Sequence, residues 1–426
     1  MAMMGFCELE LDVPLFAELY GYGPFLGRRN TGVRDPLHCR AIVIGDGSGK
    51  RIVLVVSELV VTDDVMARSL RAELAAEYSL HPNGIMFGGV HTHSGPAVSM
   101  GIGWGEIAPE FMNTLRSTIK KAVGMALADM EEITAESGVV PLSQKVGTNR
   151  VFADGQTDET IRWIRFRRAD DSVKLLLYNH GMHGVVFGAR MMRVSADWSG
   201  EVNRLVKERK LADNVMFVYG AAGNINTEPC CLDEEHGDPE LRRIGKSLAD
   251  DLENGLAAGG KELKLDGIGF VLEQVEMPIQ VHTPEQMREF SAFLADKNKF
   301  LSDRLREMAL LVENQKRKLQ VIPDLQIIRA GDFAVYGFPG EPFVELGKRI
   351  MTESEYPFAI CSTVTNGNCR YFPTRETFEK FPDGFKSENR GYGFYEIHQG
   401  SGRFMPPYQP DIADFIVNKF LSMKAN

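Results

Sequence analysis

Short apolar runs alternate with amphipathic stretches along this chain, and the alternation predicts its architecture. The runs Ala41–Ile44 and Arg51–Val56 flank the turn Gly45-Asp46-Gly47-Ser48-Gly49, which predicts two strands joined by a tight connection. Thr62, Asp63 and Asp64 then cap a helix carrying Val65, Leu70 and Leu74 near helical spacing, ending before His81-Pro82-Asn83-Gly84. Ile85-Met86-Phe87 predicts a strand that runs into His91. Beyond it, the spacing predicts helices over 111–130 and 198–210 and strands over 174–178, 214–219, 267–274 and 327–337. This succession predicts an α/β fold, a mixed β-sheet core flanked by α-helices, with the uninterrupted apolar runs buried on both faces.

Two stretches have a different character. Residues 284–319 are highly charged but place Phe290, Phe293, Leu294, Leu301, Leu305 and Leu311 at helical intervals, which predicts a helical hairpin with a solvated charged face. Residues 374–409 repeat Gly, Pro and aromatics with little periodicity; Phe381, Phe385, Tyr392, Phe394 and Tyr395 favour an ordered lid. No polar or Pro-rich linker divides the chain. Residues 1–426 are therefore expected to form a single domain with a helical insertion at about 284–320 and a lid-like loop at about 374–409.

Composition narrows the function. A 426-residue chain with 44% hydrophobic and 25% charged residues is ordinary for a globular protein. A formal net charge of -10, without a basic patch, argues against nucleic acid and against an anionic membrane, and favours a small-molecule substrate. No apolar stretch approaches membrane-spanning length, and no basic segment precedes an apolar one at the amino terminus, so a cytoplasmic protein is expected. Cys7, Cys39, Cys230, Cys231, Cys361 and Cys369 form neither CxxC spacing nor a dense framework, which predicts free thiols. The acidic neighbours Asp233, Glu234 and Glu235 are expected to raise the thiol pKa of Cys230 and Cys231 and to disfavour a nucleophilic role. Nothing in the pattern signals an oligomeric state.

Candidate chemistry gathers where apolar runs end. His91-Thr92-His93 puts two imidazoles at i and i+2 after the strand at Phe87, on one face of its end. His180 after Tyr178-Asn179, Glu341 after Gly337-Phe338-Pro339-Gly340, and Tyr371 after Asn366–Arg370 have the same setting, beside glycines that permit close approach. Strand ends of an α/β protein converge on one rim, so these residues form a plausible nitrogen and oxygen ligand set for zinc. Taken singly, each also has an ordinary reading: a core histidine, a helix-start acid, a core aromatic. Asp197 reads equally as a helix cap and as an acid–base partner, and Glu58 as a buried acid paired within the fold. His183 would share a face with His180 only in a helix, which the glycines oppose.

These segments, with Gly21-Tyr22-Gly23, Arg34–Ala41, His91–Pro96, Asn149-Arg150, Gly220–Asn226 and Tyr371–Thr374, resemble the neutral, non-lysosomal ceramidase family in order and spacing across nearly the whole chain. The resemblance implies a ceramidase catalytic-domain-like fold and one Zn2+ per chain, with His91, His180, Glu341 and Tyr371 as its ligands. It further implies that His93, Arg150 and Tyr395 surround the scissile group. Two departures stand out: Asn226 occupies the place of the ceramidase serine nucleophile, and a counterpart of the family's carboxy-terminal β-domain is not expected beyond the helix 411–423.

Asparagine cannot be a nucleophile but can donate a hydrogen bond. The expected function is therefore a zinc-dependent hydrolase cleaving an amide, ester or lactone of a small polar substrate with metal-bound water. His93 or Asp197 would serve as base, and Tyr395, Arg150 or Asn226 would stabilise the oxyanion. The alternatives are a metal-dependent isomerase, epimerase or lyase acting on a sugar or hydroxy acid, and a non-catalytic ligand-binding homologue.

Overall fold

The computed structural model describes residues 2–315, 319–399 and 405–426. Its core is built from three sheets, which meet at edge strands with apolar, fully buried sequences. The first is five-stranded, in the order Ile85–Gly89, Arg51–Ser57, Leu37–Gly45, Met3–Leu11, Glu131–Glu132, and only the first pair is parallel. The second, also five-stranded, runs Asn214–Tyr219, Val173–His180, Thr160–Arg167, Thr134–Pro141, Lys261–Glu262, and again only the first pair is parallel. The third runs Ile268–Gln274, Asp324–Ala330, Phe333–Gly337, Phe358–Ser362, with its parallel pair last. Asn214–Tyr219 packs against both Ile85–Gly89 and Phe358–Ser362. The parallel strands thus bring their carboxyl ends to one place, where the following loops carry polar side chains.

Helices cover the outer faces as the apolar spacing requires. Pro109–Ala128 buries Phe111, Leu115, Ile119 and Val123 against Met3–Leu11 and Leu37–Gly45. Asp197–Glu208 and Glu234–Ala258 pack on the second sheet and on each other. Asp63, rather than Thr62, caps Asp64–Tyr78 by accepting from Met66 N at 2.8 Å, and Val65 in its first turn faces solvent. The charged stretch contains two helices, Pro284–Leu294 and Lys299–Gln315, packed against each other.

The irregular stretch is ordered by its aromatics. Phe381, Phe385 and Phe394 are buried around the short helix Arg375–Glu379 and the π-helix Tyr395–Gln399, while Tyr392 is exposed. Buried Arg370 straps the stretch to the body by donating to the Ile397 carbonyl at 2.8 Å and to that of Met405. Part of the expected lid, residues 400–404, lies outside the described residues.

Candidate metal centre and its surroundings

Each ligand-like side chain is oriented by the backbone of a neighbouring strand end. His91 takes a left-handed φ of 63°, rare for a histidine, and its amide donates to the Leu59 carbonyl at 2.9 Å. Its Nδ1 lies 2.6 Å from the Val60 carbonyl, which can only accept, so the neutral ring carries its lone pair on Nε2. His183 repeats the arrangement: Nδ1 lies 3.0 Å from the Ile225 carbonyl, and its own carbonyl accepts from Trp198 Nε1 at 3.0 Å. Burial, aided by the charge of Arg150, pushes His183 down to about 4, which keeps it neutral.

Both free nitrogens face one carboxylate oxygen. Nε2 of His91 lies 3.2 Å and Nε2 of His183 lies 3.3 Å from Oε2 of Glu341, whose Oε1 accepts from Asn368 Nδ2 at 3.0 Å. None of these three converging atoms has a hydrogen-bond partner of proper direction, although all are buried. Three lone-pair carriers at this separation repel unless a cation lies among them. A proton would serve two of the three, whereas a divalent ion would serve all. The nitrogen and carboxylate donor set therefore fits a metal ion.

His93 completes the cluster, with the ligand atoms of His91, His93 and His183 all within 4.8 Å of one another. Both nitrogens of His93 lack partners, and burial holds its pKa well below the ordinary histidine value. Its ring packs edge-on against Tyr22 at 5.0 Å and leaves no room for a side chain at Gly21, where a Cβ would lie 2.6 Å from its Cγ.

The register of the small parallel pair Glu341–Pro342 with Tyr371–Phe372 places Tyr371 directly beside Glu341. His91, His93, Glu341, Tyr371 and Tyr395 all line one cavity, which Tyr20, Met100 and Trp104 also line. Tyr395 packs against Tyr371 with ring centroids 5.8 Å apart. Burial raises the pKa of both phenols, which favours their protonated, donating form. Arg150 lies over the Tyr371 ring at 5.4 Å, pairs with buried Glu396 at 2.9 Å, and donates to Asn226 Oδ1 at 3.1 Å.

Three expectations need correction. His180 does not reach the cluster: its Nδ1 lies 2.9 Å from the Thr160 carbonyl and 3.5 Å from Asp158, and its ring faces Trp198. It ends the strand Val173–His180 outside the cavity lining, and His183 joins the cluster in its place. Helical spacing is not needed for this, because the chain beyond Gly181 turns and Thr92 bridges to Gly184, bringing the two histidine loops side by side. The HxxH spacing was the available signal, and only the path of the loop decides which histidine points inward.

Asp197 does not line the cavity either. Its carboxylate accepts from the amides of Val186 and Phe187 at 3.3 Å and of Trp198 at 2.8 Å, bracing the loop that carries His183. Burial pushes it up to about 7 against these hydrogen bonds. The acidic run after Cys231 does not raise both thiols: Asp233 caps the helix Glu234–Ala258 through His236 N, and the pKa of Cys230 is lowered instead. Glu58 is paired within the fold as expected, with Arg40 at 2.5 Å and His38 at 3.0 Å.

No family model and no curated protein sequence matches this chain. Among solved structures, the neutral ceramidase from Pseudomonas aeruginosa aligns with a TM-score of 0.77 at 18% identity, covering 99% of this chain and 74% of that one. A ceramidase complexed with C2 aligns with a TM-score of 0.75 at 17% identity, again covering 99% and 74%. The fold is that of a neutral ceramidase. On this ceramidase-like frame the strand ends hold a buried three-histidine group able to bind a metal ion. No helix among the described residues is long and apolar enough to cross a membrane.

Proposed function

We propose that this protein is a metal-dependent hydrolase that cleaves an amide, ester or lactone bond of a small polar substrate. The convergence of the His91 and His183 Nε2 atoms on Glu341 Oε2, within a ceramidase fold, carries this reading. His91, His183 and Glu341 would hold the ion, with Tyr371 beside them. A divalent ion, zinc by the nature of its donors, would polarise the carbonyl and acidify an attacking water.

The remaining chemistry belongs to the chain. His93, neutral and with neither nitrogen engaged, accepts the proton of the attacking water and returns it to the leaving group. Tyr395, through its phenol, and Arg150, through its guanidinium, donate toward the oxygen on which charge develops. Asn226 accepts from Arg150 through its Oδ1 and so orients that guanidinium, without itself acting as a nucleophile. Met100, Trp104 and Tyr20 narrow the entrance and exclude water from the reacting atoms.

A second reading draws on the same unengaged His93: proton transfer at carbon, as in an isomerase or lyase. Screening amides, lactones and sugar acids in deuterated heavy-oxygen water tests both. Incorporation of the label into a released carboxylate supports hydrolysis. Solvent deuterium at carbon in recovered substrate, with no cleavage, would replace it by the second reading.

A further inference from the structure

The helices Pro284–Leu294 and Lys299–Gln315 and the stretch after Arg370 enclose a second cavity, which shares no lining residue with the one at the histidines. Its apolar lining comes from Met287, Phe300, Leu301, Leu305 and Met308 on the helices and from Phe385. Its polar lining is basic: Arg304, Arg370, His282 and His398 face it, and no Asp or Glu among the described residues does.

The basic groups are buried without a counter-charge. Arg370 donates to the backbone carbonyls of Ile397 and Met405 and pairs with no carboxylate among the described residues, and burial brings it down to about 10. Arg304 lies over the Phe300 ring at 4.6 Å and donates to the Ile102 carbonyl at 3.4 Å. The acids of the helical hairpin are turned elsewhere: Asp303 pairs with Lys299 at 2.6 Å, Glu313 with Arg288 at 2.7 Å, and Glu307, whose charge acts on Arg304, is exposed outside the lining. His398 is buried with neither ring nitrogen partnered, and Nε2 of His282 has no partner either. Burial and the charge of Arg370 keep His398 neutral, so its ring offers one donor and one acceptor. Phe385 packs on both imidazoles, with centroids 4.3 Å from His398 and 5.7 Å from His282.

We propose that this cavity is a second binding site, for a compact organic carboxylate with an apolar body. The carboxylate accepts from His398 and meets the charges of Arg304 and Arg370, and the body packs against Met287, Leu301 and Phe385. An inorganic anion leaves the apolar walls unmatched, and a neutral amide leaves the buried cations without a counter-charge. The site does not depend on the reaction catalysed at the histidines.

The test is calorimetric titration of the full chain with phenylacetate, its neutral isostere phenylacetamide, and inorganic phosphate. One phenylacetate per wild-type chain is expected, with the amide and phosphate each at least about tenfold weaker. Arg304→Gln and His398→Leu should each weaken phenylacetate about tenfold. His91→Ala, which removes a ligand of the metal centre, should bind it as the wild type does, so the two sites are tested separately. Binding lost in His91→Ala but kept in the two lining variants would place the anion at the histidines and overturn the site. Equal affinity for the amide or for phosphate, an affinity unchanged in either lining variant, or a well-folded wild type that binds none, overturns it as well.

Discussion

Oε2 of Glu341 lies 3.2 Å from Nε2 of His91, while Nδ1 of the same ring is held 2.6 Å from the Val60 carbonyl. The histidine thus has its proton committed to the backbone and its lone pair aimed at an anion, an arrangement a cation resolves. Elemental analysis of protein purified without chelator is expected to find about one zinc per chain. His91→Ala, His183→Ala and Glu341→Ala should lose it, whereas His180→Ala should keep it. Metal lost with His180 and retained without His183 would reverse the assignment.

Gly21 sets the position of His93. An alanine there would combine a backbone φ of +120° with a Cβ 2.6 Å from the ring, so Gly21→Ala is expected to fold but to lose most turnover. Gly23, at φ +112° with nothing within 4 Å of a built Cβ, separates strain from collision. Gly23→Ala should cost about 1–3 kcal/mol of stability while leaving the catalytic constant near wild type. Equal turnover in the two variants would remove the steric argument.

Glu396 supplies the buried counter-charge of Arg150 at 2.9 Å. Glu396→Gln keeps the volume but leaves a guanidinium without its anion, and should destabilise the fold by about 3 kcal/mol in denaturant titration. A midpoint unchanged from wild type would show that Arg150 is neutralised by other means.

Two buried carboxylates should shape stability against pH in opposite directions. For Glu58, burial acts to raise the pKa, but the charge of Arg40 and the contacts with His38 override it and bring the value down to about 2. Its contribution is present above the unfolded pKa of about 4.3 and is lost as pH falls through about 2. Asp197 is raised by burial to about 7, so the folded state holds an extra proton between about 4 and 7, and stability declines as pH rises through that window. Glu58→Gln should abolish the acid-side loss and Asp197→Asn the decline toward neutrality. Stability curves of the variants parallel to wild type in those windows would contradict the assignment.

Much of this protein was legible in one dimension. The apolar run Asn214–Tyr219, the hairpin strands around Gly45–Gly49 and the paired helices beyond Pro284 follow from local spacing, because each buries its apolar positions in whichever element that spacing permits. So do His91, His93, Glu341 and Tyr371 as a group, since strand ends of an α/β chain meet on one rim. What lay beyond the sequence were the choices made by loop paths: His183 over His180, Asp197 as a brace, the lowered pKa of Cys230. Each depends on which backbone carbonyl, amide or distant charge lies within about 3–4 Å, and residues far apart in the chain supply those partners only once the three sheets have met.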